Sequence, residues 1–273
     1  DQFLMSGRNA LVLIDSFLEI QQGGNQMMRQ RQPMVLPLNT GLKKLVSHYG
    51  VQVNSDIVMD TRCFETQQRG LGELKLYFAP LINDEGLSDE SDITSYLKRL
   101  VFLKASSLSV NEKVLKDNDI QHTILVKSSD QSWLQKGRIS FMPFGVRPPA
   151  PSKMSSFDLA VLLEGEISSY FSGENVPRSL KNSDGKISGG IIKKAAKPAR
   201  LIVAGTSEIA GRNTIDPEGK RPNSVFIHNA LDYLNGNYNI PEMRSKGLSF
   251  NPIEDTGEGV KLALKMINIA GLP

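Results

Sequence analysis

Leu201-Ile-Val-Ala204 is an unbroken apolar run that stops at Gly205 and the polar cluster Thr206-Ser-Glu208. A run of this kind, closed by a glycine and turn-forming residues, reads as a strand buried on both faces and ended by a turn. The signature recurs at 10–14, closed by Asp15, at 100–103, at 122–126 before Lys127-Ser-Ser-Asp130, and at 159–163 before Glu164. Residues 51–59 and 74–78 have extended character as well. Helical patterns fall between these runs. Residues 38–49 place Leu42, Leu45 and Val46 on one face, with Asn39 as N-cap and Gly50 as the stop, and an amphipathic helix starts behind Asn223. Apolar runs without strict alternation, separated by helices, predict one α/β domain with a mainly parallel sheet flanked by helices.

In such a sheet ligands approach the carboxyl ends of the strands. Those ends would supply Asp15, Ser129, Asp130, Glu164, Thr206, Ser207 and Glu208, which form the candidate ligand- or partner-binding cluster. Ser129 or Asp130 could also cap a helical turn after the 122–126 run.

Composition narrows the class. With 273 residues, 40% hydrophobic and 22% charged, the chain has ordinary globular usage and can bury a sizeable core. A net charge of +3, with acids interspersed among the bases, gives no nucleic-acid footprint. No apolar run reaches the roughly 18 residues that a membrane span needs. The chain nevertheless opens on Asp1-Gln-Phe-Leu-Met within a helical pattern and stops on the apolar Ile267-Asn-Ile-Ala-Gly-Leu-Pro273. Both ends therefore read as cuts through a longer chain. Two aperiodic stretches read as loops: the Gln/Gly/Arg-rich 21–33, and 172–200. Between Arg178 and Arg200 the second carries seven basic residues against Asp184 alone, which suits a flexible loop or a contact to lipid headgroups. The acidic stretch 83–92 lacks the Asp-x-Asp-x-Asp-Gly calcium spacing and reads as a solvated loop.

Reactive chemistry finds little support in the motifs. Gly205-Thr-Ser-Glu-Ile209 begins like a hydrolase nucleophile elbow, Gly-x-Ser-x-Gly, but Ile209 stands where the second glycine must allow the tight turn. Cys63, the single cysteine, lies in Asp60-Thr-Arg-Cys-Phe64 without a flanking glycine and reads as a structural thiol. His48, His122 and His228 are far apart and show no His-x-x-His or His-Glu-x-x-His spacing, and no phosphate-cradling glycine loop occurs. Neither a metal nor a cofactor is expected.

Four stretches together resemble the extracytoplasmic domain of the gliding-motility type (GldG-like) auxiliary component of ABC transporters. They are Asn9-Ala-Leu-Val-Leu-Ile-Asp15 with the helix end before it; Leu42-Lys-Lys-Leu-Val-Ser-His-Tyr-Gly-Val-Gln-Val-Asn54 with the strand after it; Leu125-Val-Lys-Ser-Ser-Asp-Gln-Ser-Trp133 with Phe157-Asp-Leu-Ala-Val-Leu-Leu-Glu-Gly165; and the 199–210 stretch with Asn229-Ala-Leu-Asp-Tyr-Leu-Asn-Gly236 and Ile240-Pro-Glu-Met-Arg-Ser-Lys246. The strand-end turn of that family usually reads Gly-Asp-Ser-Asp/Glu, and Thr206 here replaces the first acid. The resemblance implies a flavodoxin-like or glutamine-amidotransferase-like domain without catalytic residues. It implies a membrane helix soon after 261–273 and a place on the extracytoplasmic, periplasmic side of the bacterial inner membrane. It also implies an ABC-2 type permease and its ATPase subunit as partners. Two other classes stay open: a hydrolase using Ser207 or Cys63, and a soluble small-ligand binding protein.

Overall fold

The computed structural model describes residues 1–20, 34–68, 72–142, 144, 146–172 and 191–247. The expected loop at 21–33, most of the expected basic loop at 172–200 and the expected membrane approach at 261–273 lie outside the described residues. In chain order the first half contains α1 (Gln2–Met5), β1 (Ala10–Leu13), β2 (Phe17–Ile20), β3 (Met34–Pro37), α2 (Leu42–His48), β4 (Val51–Val53), β5 (Asp56–Asp60), β6 (Cys63–Gln68), β7 (Gly72–Asn83) and β8 (Arg99–Val101). The second half contains β9 (Leu108–Val110), α3 (Glu112–Asp117), β10 (Gln121–Lys127), β11 (Ser132–Lys136), β12 (Asp158–Gly165), β13 (Ala199–Ala204), α4 (Pro222–Leu234) and α5 (Asn239–Gly247).

The central sheet runs β1-β13-β12-β9-β4, with β10 paired to β12. Only β1 and β13 pair in parallel; β13 with β12, β10 with β12, β12 with β9 and β9 with β4 are all antiparallel. Three smaller sheets, β11-β5, β2-β3 and β6-β7-β8, are antiparallel too. This overturns the mainly parallel, flavodoxin-like or amidotransferase-like sheet flanked by helices: the domain is strand-rich, with mixed, mostly antiparallel sheets and few helices. The reason is physical. A continuous apolar run reports that both faces of a strand are covered, and it carries no information about the direction of the neighbouring strand.

Two-sided burial is what the runs encode here. Along β13, Ile202 and Ala204 face one core, while Leu201 and Val203 face the other. On β12 the split is Ala160 and Leu162 against Val161 and Leu163. The first face is covered by Val225, Phe226 and Ala230 of α4, with Phe102 edge-on to Phe226 at 6.4 Å between ring centroids. The second face is covered by Leu4 and Met5 of α1, Val46 of α2 and Leu115 of α3. These three helices are short, which explains why helical periodicity is faint in this half of the sequence. Gly50 does end the second helix, at φ +99, and a side chain there would stand 2.4 Å from Leu115. Asn39 is not its cap; Gly41 holds that position, and Asn39 accepts a bond from the Gly41 amide instead. β1 is the first strand in the sheet order.

Two local departures matter for the site. The chain after β10 enters β11 in place of a helical turn, because the Ser129 amide and hydroxyl are taken by the carboxylate of Asp60 at the end of β5. Asn223, in the first turn of α4, is buried and uses its side-chain amide on both backbone groups of Val101 in β8: Oδ1 accepts from the amide at 3.1 Å and Nδ2 donates to the carbonyl at 2.8 Å. That side chain stands in for a neighbouring strand and closes the outer edge of β8.

Candidate functional site

Because β1 and β13 run parallel, their carboxyl ends meet. Asp15 there accepts hydrogen bonds from the Ser207 amide at 2.7 Å and from the Ser207 hydroxyl. Thr206 is fully buried; its hydroxyl donates to the Leu103 carbonyl at 2.8 Å and accepts from the Glu208 amide at 3.1 Å. An acid at position 206 would set a carboxylate against that carbonyl, so threonine at this place is a packing requirement. The structure thus brings Asp15, Thr206, Ser207 and Glu208 together and spends their polar groups largely on one another.

The other three candidates lie elsewhere. Ser129 is tied to Asp60, and the exposed Asp130 beside it lines a smaller cleft of about 430 Å³ with Arg62, Glu85 and Lys127. Glu164 closes β12, which runs antiparallel to β13, so it sits at the opposite end of the sheet, level with Arg200. Its carboxylate accepts from Arg200 Nε at 2.8 Å and from the Tyr233 hydroxyl at 3.1 Å, and the Arg200 guanidinium lies over the rings of Tyr233 and Tyr238. A single strand-end cluster needed an all-parallel sheet.

A much larger cleft, about 1640 Å³, opens between the β6-β7-β8 sheet, the segment 137–142 and the start of α4. Its floor belongs to a third core built on Ile57, Met59, Trp133 and Ile139, against which Phe78 and Phe141 pack edge to face at 5.4 Å. Phe64 projects from β6 into the opening and is 48% exposed. The cationic side chains of the lining are Arg99, Lys104, Arg138 and Arg221. Lys104 is paired with Glu19 and lies 4.9 Å from the centre of the Phe141 ring, while the second acid of the lining, Glu65, is paired with Lys75 at 2.9 Å. Cys63 sits in the wall of the cleft, and burial pushes its thiol up to about 11, away from the thiolate form a nucleophile requires.

Sequence reasoning did not find this cleft. Its residues come from segments far apart in the chain, and each one alone is an ordinary surface arginine or a strand phenylalanine. The only local hint was Gly137-Arg-Ile-Ser-Phe141, where an arginine and an aromatic residue share one short loop. Among the described residues, no group of three or more His, Cys, Asp or Glu side chains is arranged to hold a metal ion, and no helix is long and apolar enough to cross a membrane.

No curated protein matches this chain. Among solved structures it is similar to the mmIFT52 N-terminal domain, at 13% identity and a TM-score of 0.43, over 86% of this chain and 68% of that one. So slight a likeness carries no argument here. The family described as an ABC-type uncharacterized transport system matches residues 1–235, and the chain belongs to that family, as an auxiliary component of an ABC-type transport system.

Proposed function

We propose that this domain works by binding and carries out no reaction, as a GldG-like auxiliary part of an ABC-2 type system held beside its permease and ATPase on the extracytoplasmic side of the inner membrane. The family supplies the transport context. The observation that carries the binding role is the 1640 Å³ cleft, with its aromatic floor and its arginines, in a domain whose single cysteine is buried with its thiol shifted up. Clefts of this make-up, apolar with a few placed charges, are where proteins hold ligands. A hydrolase would need Ser207 or Cys63 activated. The Ser207 hydroxyl donates to a carboxylate that also holds its own amide, and Cys63 is buried with its thiol shifted up. The cleft is taken as the working site, and the Asp15–Ser207 turn as part of the frame that supports it.

Covalent probes test the division between binding and reaction. At pH 8 the folded chain is expected to react with iodoacetamide at Cys63 at least about tenfold more slowly than the denatured chain, since little thiolate is present when the thiol is shifted this far. Fluorophosphonate is expected to leave Ser207 unlabelled. Rapid modification of either residue in the folded state, above the denatured rate, would restore the enzyme reading.

A further inference from the structure

We propose that the large cleft takes an amphipathic anion: a single molecule with a carboxylate or phosphate head on an apolar chain. This rests on the cleft being the working site, and it adds the chemistry of what enters.

Three observations lead there. The cleft exposes large apolar side chains around one opening, with Phe64 at 48%, Met34 at 46% and Met142 at 36%. Apolar surface gathered in one concave place is covered favourably by an apolar chain. The charges do not balance internally. Both acids of the lining, Glu19 and Glu65, are already paired with lysines, whereas among the described residues no carboxylate pairs with the exposed Arg99 or Arg138. A guanidinium presents a planar fork of donors that matches a carboxylate or a phosphate, and it is more weakly hydrated than an ammonium, so it suits a head group at the mouth of an apolar site. Finally, an extended peptide adding a strand to β8, which forms part of the wall, would find both backbone groups of Val101 on that edge already taken by the Asn223 side chain. An amphiphile asks nothing of the backbone.

Titration calorimetry on this chain tests the proposal with four probes, each below its micelle-forming concentration: laurate, dodecyl phosphate, dodecyl maltoside and inorganic phosphate. Laurate and dodecyl phosphate separate the two head groups. At least one of them is expected to bind about tenfold more tightly than the uncharged maltoside, as one or two charge-assisted hydrogen bonds supply. Inorganic phosphate alone is expected to bind far more weakly than either. In the double variant Arg99→Gln, Arg138→Gln the preference for the anions should vanish while maltoside affinity is unchanged; thermal melting of the variant confirms that it folds. Equal affinity for maltoside and the anions, or a preference that survives the double substitution, overturns the anionic head and leaves the cleft as a binding site. Failure of every amphiphile to bind overturns the proposal and the cleft reading together.

Discussion

Gly205→Ala is expected to cost about 3 kcal/mol or more. Gly205 follows directly on β13: its amide donates to the Leu159 carbonyl of β12 at 3.0 Å, and its carbonyl accepts from the Ser106 amide, in the segment before β9, at 2.8 Å. A Cβ at this position would stand 2.1 Å from the Ser106 carbonyl oxygen and 3.0 Å from its carbon. Both are backbone atoms, and the Ser106 amide is itself bonded to the Gly205 carbonyl, so no rotamer change relieves the overlap; the two backbone segments must part. Ser106 is itself fully buried, and its hydroxyl bonds Ser16 at 2.6 Å and the Asp56 carbonyl at 2.8 Å, so any displacement spreads into β5. Urea unfolding followed by Trp133 fluorescence measures the loss. A variant within about 0.5 kcal/mol of the native chain would mean that the approach of Gly205 to Ser106 is looser than described.

Asp60→Ala is expected to cost about 3 kcal/mol by another route. The fully buried Asp60 carboxylate accepts three hydrogen bonds: from the Arg62 amide at 2.8 Å, the Ser129 hydroxyl at 2.7 Å and the Ser129 amide at 3.0 Å. Alanine leaves three donors without an acceptor, two at the turn between β10 and β11 and one between β5 and β6. Asn preserves one oxygen and turns an N–H group toward one of the donors, so Asp60→Asn should lose about 1–2 kcal/mol. The order, with alanine worse than asparagine, is the sharper readout, because a carboxylate that served only through its charge would make the two variants alike. The same urea experiment ranks them.

The sequence disclosed the strands through their burial. The runs at 201–204, 159–163 and 122–126 lie within β13, β12 and β10, and Pro222 in the first helical turn makes α4 readable. Strand direction was hidden, since β12 buries Val161 and Leu163 on one face and Leu162 on the other whichever way its neighbours run. That single unknown decided the candidate cluster. Glu164 and Thr206 both follow an apolar run, yet reversal of β12 sends them to opposite ends of the sheet. Ser129, expected to cap a helical turn, instead bonds Asp60, 69 positions away along the chain. The cleft was least legible of all. Phe64, Arg99, Arg138 and Asn223 converge only through the long-range pairing of β6, β7 and β8 and the docking of α4 on that edge.

The role proposed for this domain, as a binding subunit of a transporter, is tested most directly by isolating the full-length protein from its native membrane in mild detergent and weighing the intact assembly by native mass spectrometry. The account expects an ABC-2 type permease and its ATPase in fixed stoichiometry with this chain, and ATP turnover that comes from the ATPase subunit alone. A full-length protein that runs free of both subunits, or that shows catalytic turnover of its own, would contradict it.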